Sequence, residues 1–440
     1  MFAPSHDQKP GGLHEGWKQA WCKLAETGIQ RNRGEHFLVM KPVILWRSLT
    51  KLFAGLPLLF SLSALADTNA FPIMAWDWPP NDPAVLKRLR DCGFTVAGFV
   101  APDALDNCAH AGLQAIVIDP RSHHYNWTNV DEANARKNIA SLVADVDGHP
   151  AVFGYYLRDE PDVKLLPGLG MVASLLRQSA PGRWPYINLF PDYAYPSTLG
   201  TTNYAEYLER FIANCRPQIV SYDNYSLMDD GSVRENFWSN LESVRVACRK
   251  HGLEFWNIIL AVAHFNYAEP TAAGFRLQAY STLACGGRGL AYFTYFAPRT
   301  GNYRAAAVDQ FGRETPTWQL IQNVNLQIQK LAPTLLQLSC DDAYHLGNVP
   351  VGCPGPSTNS LVTGLEGGNA LVGDFTHRDG SRYVMVVNKS LTRSRICWPQ
   401  FRQTPKILKY TSPYTGALTA FEGEAVWLAP GQGVLIKPEW

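Results

Sequence analysis

The sequence predicts an α/β protein built on a (β/α)8 TIM barrel and followed by a small antiparallel β-sandwich. Three observations carry that expectation. Short apolar runs alternate with amphipathic helical stretches eight times over about 270 residues. The apolar runs are nearly continuous, as in parallel strands buried on both faces. Past about residue 340 the helical period vanishes, and short strands follow one another between turn signals.

The barrel elements come in order. Phe71–Trp76 is a strand and Pro83–Cys92 a helix; Phe94–Val100 is a strand and Asp103–Ala111 a short helix. Leu113–Ile118 precedes a helix over Val130–Asp147, and Val152–Leu157 precedes one over Val163–Gln178. Trp184–Phe190 leads to the helix Asn203–Cys215, where Tyr204, Tyr207, Leu208, Phe211 and Ile212 recur on one face. Ile219–Tyr225 leads to Val233–His251, with Val233, Phe237, Leu241, Val244 and Cys248 in line. Phe255–His264 with Thr271–Cys285, then Leu290–Phe296 with Thr317–Leu331, complete eight units. Gly93, Gly112, Gly252 and Gly289 follow helices, the usual C-cap placement. A doubly wound open sheet usually carries a glycine-rich phosphate loop after its first strand. Here that strand ends Trp76-Asp77-Trp78-Pro79-Pro80, which cannot cradle a phosphate.

Downstream, Ala370–Phe375, Tyr383–Asn388, Ile407–Tyr410, Ala425–Leu428 and Gly433–Ile436 read as strands, punctuated by Asp379-Gly380 and Pro430-Gly431. The expected division is a catalytic barrel over 67–338 and a β-sandwich over 339–440. Ahead of them, Lys41, Arg47 and Lys51 precede the apolar stretch Leu52–Leu65, and Ala64-Leu65-Ala66 fits the small-x-small cleavage rule. Residues 40–66 therefore read as a signal peptide starting at Met40, with 1–39 an extended or non-native N-terminus. The expected location is secreted or periplasmic, with cleavage after Ala66 and no membrane attachment afterwards.

The 440 residues carry 39 Lys+Arg against 38 Asp+Glu, a net charge of +1 that leaves no basic footprint for nucleic acid. Hydrophobic residues at 46% and charged residues at 18% supply a large core and exclude global disorder. Of nine cysteines, Cys22 falls in the leader; the remaining eight match no zinc spacing. Cys92, Cys215, Cys248 and Cys285 sit in predicted helices as small buried hydrophobes. Export permits disulfides, and Cys340 with Cys353 is the expected pair because both lie in a Pro/Gly-rich connection.

Active sites of this barrel form at the C-terminal ends of its strands. Those ends read Trp76-Asp77-Trp78; Asp119 with His123 and His124; Arg158-Asp159-Glu160-Pro161; Asn188 with Phe190; Tyr222-Asp223-Asn224-Tyr225; His264-Phe265-Asn266-Tyr267; and Tyr295-Phe296. Carboxylates, histidines and large aromatics are the inventory for binding and cleaving sugars. No His-x-x-x-His or carboxylate spacing supports a metal, no Gly-x-Ser-x-Gly elbow supports a serine esterase, and no cofactor is implied.

Asp159-Glu160-Pro161 at the end of the fourth strand resembles the Asn-Glu-Pro signature of clan A glycoside hydrolases, whose barrels are commonly followed by a β-sandwich. The resemblance implies that Glu160 is the general acid/base, which needs a raised pKa. It also implies a nucleophilic glutamate at the end of strand seven. This chain departs on two counts. Asp159 stands in place of the asparagine, and strand seven ends Ala263-His264-Phe265, with Glu254 at its opposite end. Two carboxylates are left as the partner: Asp223 at the end of strand six, slightly favoured, and Glu269 in the loop after strand seven. Trp76, Asp77, Trp78, His123, Arg158, Asp159, Asn188, Tyr222, Tyr225, His264 and Tyr295 are the expected substrate contacts, with Trp127 a further stacking candidate. The expected function is an exported glycoside hydrolase acting on a poly- or oligosaccharide by two carboxylates. The rivals are a carbohydrate-binding protein on a decayed barrel, favoured by the missing strand-seven glutamate, and a metal-dependent barrel hydrolase.

Overall fold

The computed structural model describes residues 70–440. The expected signal peptide, its cleavage site and the extension before it lie outside the described residues. The barrel runs β1 (Ile73–Ala75), α1 (Pro83–Asp91), β2 (Val96–Val100), α2 (Leu105–His110), β3 (Gln114–Val117), α3 (Pro120–His123), α4 (Glu132–Val146), β4 (Val152–Asp159), α5 (Leu166–Ser179), β5 (Trp184–Leu189), α6 (Pro196–Leu199), α7 (Tyr204–Cys215), β6 (Ile219–Asp223), α8 (Asn236–His251), β7 (Glu254–Leu260), α9 (Ala272–Ala284), β8 (Gly289–Phe293) and α10 (Pro316–Leu335). The eight strands pair in parallel in sequence order, and β1 closes on β8.

Local chemistry starts and stops these elements. Asp82 caps α1 by accepting from the Ala84 and Val85 amides, with Pro83 at the first helical position. Asn203 caps α7 and Thr271 caps α9 in the same way. The α7 stripe Tyr204, Tyr207, Leu208, Phe211 and Ile212 is buried as its spacing predicts.

Strand parity then builds two cores. Outward residues such as Ile73, Val117, Tyr155, Val220, Ile259 and Leu290 pack under the helices. Inward residues fill the lumen, and they are unusually aromatic: Trp76, Phe99, Tyr156, Trp184, Tyr186, Trp256 and Phe293. Such barrels are more often filled by branched aliphatics. Trp184 and Trp256 meet edge to face with centroids 4.8 Å apart. Gly289 makes room for them. A Cβ there would lie 2.2 Å from Trp256 Cε2. So Gly289 is a β8 residue and not a helix cap; Gly286, at φ 84°, takes the left-handed turn after α9.

Past α10 come β9 (Leu338–Leu346), β10 (Val362–Glu366), β11 (Ala370–His377), β12 (Arg382–Asn388), β13 (Arg395–Ile396), β14 (Trp398–Phe401), β15 (Ile407–Thr411), β16 (Leu418–Ala420), β17 (Trp427–Leu428) and β18 (Gly433–Glu439). Six form an antiparallel sheet in the order β16-β15-β18-β12-β11-β9, and β10–β14 and β13–β17 form two-stranded ribbons. Alternation divides the sheet's faces. Val372, Val384, Val386 and Ile436 pack in a core of their own with Phe421 and Leu428. Leu371, Met385, Val387 and Leu435 join the core beneath the barrel helices. Helix α9 lies between barrel and sheet, which is why nearly all of its residues are buried. Residues 425–428, expected as a strand, are split: Gly423–Val426 forms a 3-10 turn, and only Trp427 and Leu428 pair, with β13.

All eight cysteines among the described residues are free thiols, Cys340 and Cys353 included, so the expected bridge is not formed. Cys340 Sγ instead faces the Asp342 carbonyl at 3.6 Å. Burial pushes the thiols of Cys340 and Cys353 up to about 12 and about 11, out of the reactive range. Among the described residues no helix is long and apolar enough to cross a membrane.

Candidate active site

The fourth strand sets the geometry of the barrel mouth. Along β4 and β5, Tyr156 is in register with Tyr186, but the next pair is Arg158 with Ile187, and then Asp159 with Asn188. One extra residue is therefore bulged out of β4 near Leu157, and the inward–outward alternation resets. Arg158 falls on the outward parity of Ile187, whereas Asp159 turns inward beside Asn188. Without the bulge the two would exchange faces.

On β6, Ser221 and Asp223 share the inward face while Val220 and Tyr222 point to the helices. Asn188, buried on β5 between the two strands, links them. Its Nδ2 donates to Asp159 Oδ1 at 3.0 Å and to Asp223 Oδ1 at 2.9 Å. Its Oδ1 accepts from Ser221 Oγ at 2.9 Å, and the Tyr186 hydroxyl lies 3.3 Å from that same Oγ. The two carboxylates, which only accept when ionised, fix which way the amide points, so both of its N–H bonds face them and its oxygen is left for the Ser221 hydroxyl. Two acceptors on one nitrogen place the two carboxylate oxygens within about 6 Å of each other.

Glu160 follows directly. Its backbone is left-handed, φ 45°, a conformation that strains a residue with a side chain. Surrounding bonds hold it there. Its N–H donates to the Asn188 carbonyl at 2.9 Å, and the buried Tyr207 hydroxyl on α7 donates to the Pro161 carbonyl at 2.7 Å. Burial and the neighbouring acids act together on the Tyr225 hydroxyl. Burial chiefly, then the charges of Asp223, Glu160, Tyr193 and Asp159, push its pKa well above the ordinary value, so it stays a proton donor.

The far side of the mouth is aromatic. His264, buried just past β7, stacks on Tyr303 at 4.8 Å and meets Tyr225, Tyr267 and Phe293. Tyr225 stacks on Phe293 at 5.4 Å. Its amide N–H donates to the Tyr193 hydroxyl. Trp78 is half-buried at the end of β1, edge-on to Trp76, while Trp76 is part of the lumen packing. His123 Nδ1 bonds the Asp119 carbonyl at 2.8 Å, and its ring meets Tyr156.

Other expected contacts lie elsewhere or are engaged. Tyr222 and Tyr295 point outward into the helix-packed core, each 1% exposed, and the Tyr295 hydroxyl accepts from Trp318 Nε1 at 3.0 Å. Neither faces the mouth as a substrate contact: Tyr222 alternates outward on β6 between Ser221 and Asp223, and Tyr295 lies two residues past β8, where the alternation that turns Phe293 inward has ended. Trp127 belongs to the same core. Asp77 accepts from the Trp78 and Phe296 amides at 2.9 and 2.8 Å, which ties β1 to the chain leaving β8. Burial raises its pKa to about 7 against those amide bonds. Asp119 caps α3 and pairs with Arg121; burial pushes its pKa up, but the Arg121 bonds hold it below the ordinary value. Glu269, in the loop after β7, has a side chain 64% exposed and pairs with Arg304 at 3.0 Å. Among the described residues no group of three His, Cys, Asp or Glu is placed to hold a metal ion.

Sequence reasoning passed over Ser221, Tyr186, Tyr156, Tyr193, Phe293 and Tyr303. Ser221 was legible in principle, since it lies two residues before Asp223 on one strand face.

No protein-family model matches the chain, and no curated protein matches it in sequence. Its likenesses are to solved structures. A beta-galactosidase from Bacillus circulans sp. alkalophilus is 10% identical, over 84% of this chain and 99% of that one, with a TM-score of 0.59. A glycoside hydrolase family 5 protein from Bacteroides vulgatus is 13% identical, over 84% of this chain and 89% of that one, with a TM-score of 0.55. The chain spans 60% of the length of a beta-galactosidase from the psychrophilic Marinomonas ef1, aligning 59% of its own at 11% identity and a TM-score of 0.46. The fold, a closed parallel barrel followed by antiparallel sheets, is the one shared with the first two of these glycoside hydrolases.

Proposed function

We propose that the protein is an exported glycoside hydrolase in which Glu160 protonates the leaving glycosidic oxygen. One observation carries this reading. A single buried amide, Asn188, gathers Asp159 and Asp223 at the strand ends beside Glu160, inside a mouth walled by aromatic rings. Hydrolysis of a glycosidic bond needs a proton donor and a carboxylate facing the positive charge that develops at the anomeric carbon. Asp223 supports that second role better than Glu269. It is inward and buried, whereas Glu269 is largely exposed and neutralised by Arg304. Trp78, half-buried at the end of β1, supplies a ring for a sugar to pack against. Export rests on the leader in the sequence, and the split at 338/339 on the change of period there.

The test is reducing-sugar release on a panel of oligo- and polysaccharides, with Glu160→Gln, Asp223→Asn, Glu269→Gln and a chelator as arms. The reading expects loss in the first two, retention in the third and no effect of chelator. Full activity in Glu160→Gln, or binding without any turnover by the wild type, overturns it.

A further inference from the structure

We infer that the sugar cleaved carries a 2-acetamido group, whose carbonyl oxygen is the nucleophile and whose N–H is received by Asp159. The inference rests on the glycosidase reading above and extends it to a substrate class.

Asp159 and Glu160 are consecutive, so their Cα atoms are about 3.8 Å apart. They stand at one strand end, on one side of any bond that Glu160 protonates. Asp159 is therefore badly placed to attack the opposite face of the anomeric carbon. It is well placed to meet a neighbour of that carbon. There are two such neighbours. The ring oxygen offers only lone pairs, and a carboxylate is an acceptor alone, so that contact is repulsive. The C2 substituent can donate. Asn188 holds Asp159 as an acceptor by donating to it, and the β4 bulge turns it inward.

A C2 hydroxyl would also bond the carboxylate, but it takes on less positive charge during reaction than an acetamide N–H does. A buried anion gains most where positive charge develops on its donor during reaction. An acetamide N–H meets that condition. As the acetamide oxygen forms a bond to the anomeric carbon, the bond to the leaving oxygen breaks, and Glu160 transfers its proton to that oxygen. The positive oxazolinium ring that results keeps its N–H on the Asp159 carboxylate. Water then adds to the anomeric carbon and loses a proton to Glu160. The ring C–O bond breaks back to the amide carbonyl, and one water is consumed overall. Tyr303, partly exposed and stacked on the buried His264, offers apolar contact for the acetamide methyl.

The experiment uses the purified full chain on 4-nitrophenyl glycosides in both anomeric configurations, bearing 2-acetamido, 2-hydroxyl or 2-ammonium groups. A thiazoline analogue of the bicyclic intermediate serves as inhibitor. Turnover confined to the 2-acetamido series is expected, with competitive inhibition by the thiazoline. The isosteric Asp159→Asn should lose about 10²-fold or more in kcat. Comparable turnover of 2-hydroxyl glycosides, with a glycosyl adduct trapped on Asp223 by a 2-fluoro sugar, overturns the inference and leaves the glycosidase reading standing. Preference for the 2-ammonium series overturns it as well. Failure to hydrolyse any glycoside or polysaccharide overturns both.

Discussion

Asn188 lies 2.9 Å from Asp223 across two neighbouring strands, and the same amide nitrogen lies 3.0 Å from Asp159. The amide is the positive edge that lets two acids stand within about 6 Å inside a buried mouth. Replacing Asn188 by Asp keeps the shape and reverses the chemistry. Three carboxyl groups then meet with the amide donor gone, and repulsion favours a proton on one of them. That raises an acid pKa in the folded state, so the variant loses stability as pH rises above the unfolded value near 4 and regains it on acidification. A loss of about 3–5 kcal/mol at neutral pH is expected, as for an uncompensated buried charge. The optimum for hydrolysis should move to lower pH with it. Thermal unfolding and kcat as functions of pH check both, and a pH profile identical to the wild type would refute the role given to the amide.

Glu160 combines the proton-donor role proposed above with a strained backbone. Glu160→Gln keeps the side-chain shape and removes the transferable proton, so kcat should fall about 10²–10⁴-fold with little change in Tm. Glu160→Gly removes the Cβ that makes φ 45° unfavourable. It should be equally inactive yet more stable than the wild type by about 1 kcal/mol. Denaturant unfolding of the two variants side by side measures the strain, and a Glu160→Gly protein less stable than Glu160→Gln would show that none is stored there.

The barrel was legible in the sequence because apolar runs and helical stripes repeat eight times, and the place of Glu160 at the barrel mouth because its motif follows the fourth strand. What surrounds Glu160 was less so. The β4 bulge is invisible in a run as uniformly apolar as Val152–Leu157, and it decides that Asp159 turns inward and Arg158 does not. Tyr222 faces outward because a strand end alternates faces just as its middle does, and Tyr295 faces outward because β8 ends at Phe293 and its alternation with it. Cys340 and Cys353 do not pair because Cys340 lies within β9, packed against the end of α9, and not in the connection that carries Cys353. Asn188 was named as a contact, but its reach to two neighbouring strands depends on the order in which the barrel closes.

Asp77 should make stability pH-dependent in a separate window. Its carboxyl is held up at about 7 by burial, against the amides of Trp78 and Phe296. Between about pH 4 and 7 the unfolded chain ionises this group while the folded one keeps its proton, so stability falls as pH rises through that window. Asp77→Asn removes that pH dependence. It also turns an N–H toward one of the two backbone donors, which costs about 1–3 kcal/mol at every pH. Unfolding free energies of both proteins at pH 4 and pH 7 give the slopes; a wild-type slope retained in the variant would assign it to another group.

Gly289 and Trp256 should behave as one packing unit. A Cβ at Gly289 would stand 2.2 Å from Trp256 Cε2 and 2.3 Å from Cδ2, in the middle of the indole rather than at its flexible end. Trp256 is itself locked by Trp184 and Phe153, so it cannot swing aside. Gly289→Ala should therefore cost about 1–3 kcal/mol by overpacking. Trp256→Phe alone should also destabilise, since it leaves a void in a close-packed lumen. Together they should cost less than the sum of the two, because the smaller ring vacates the space the new methyl needs. A double-mutant cycle read by denaturant unfolding measures that coupling. Strict additivity would mean that β8 shifts away from β7 to admit the methyl, and hydrolysis, which depends on the strand ends above, would then fall in Gly289→Ala as well.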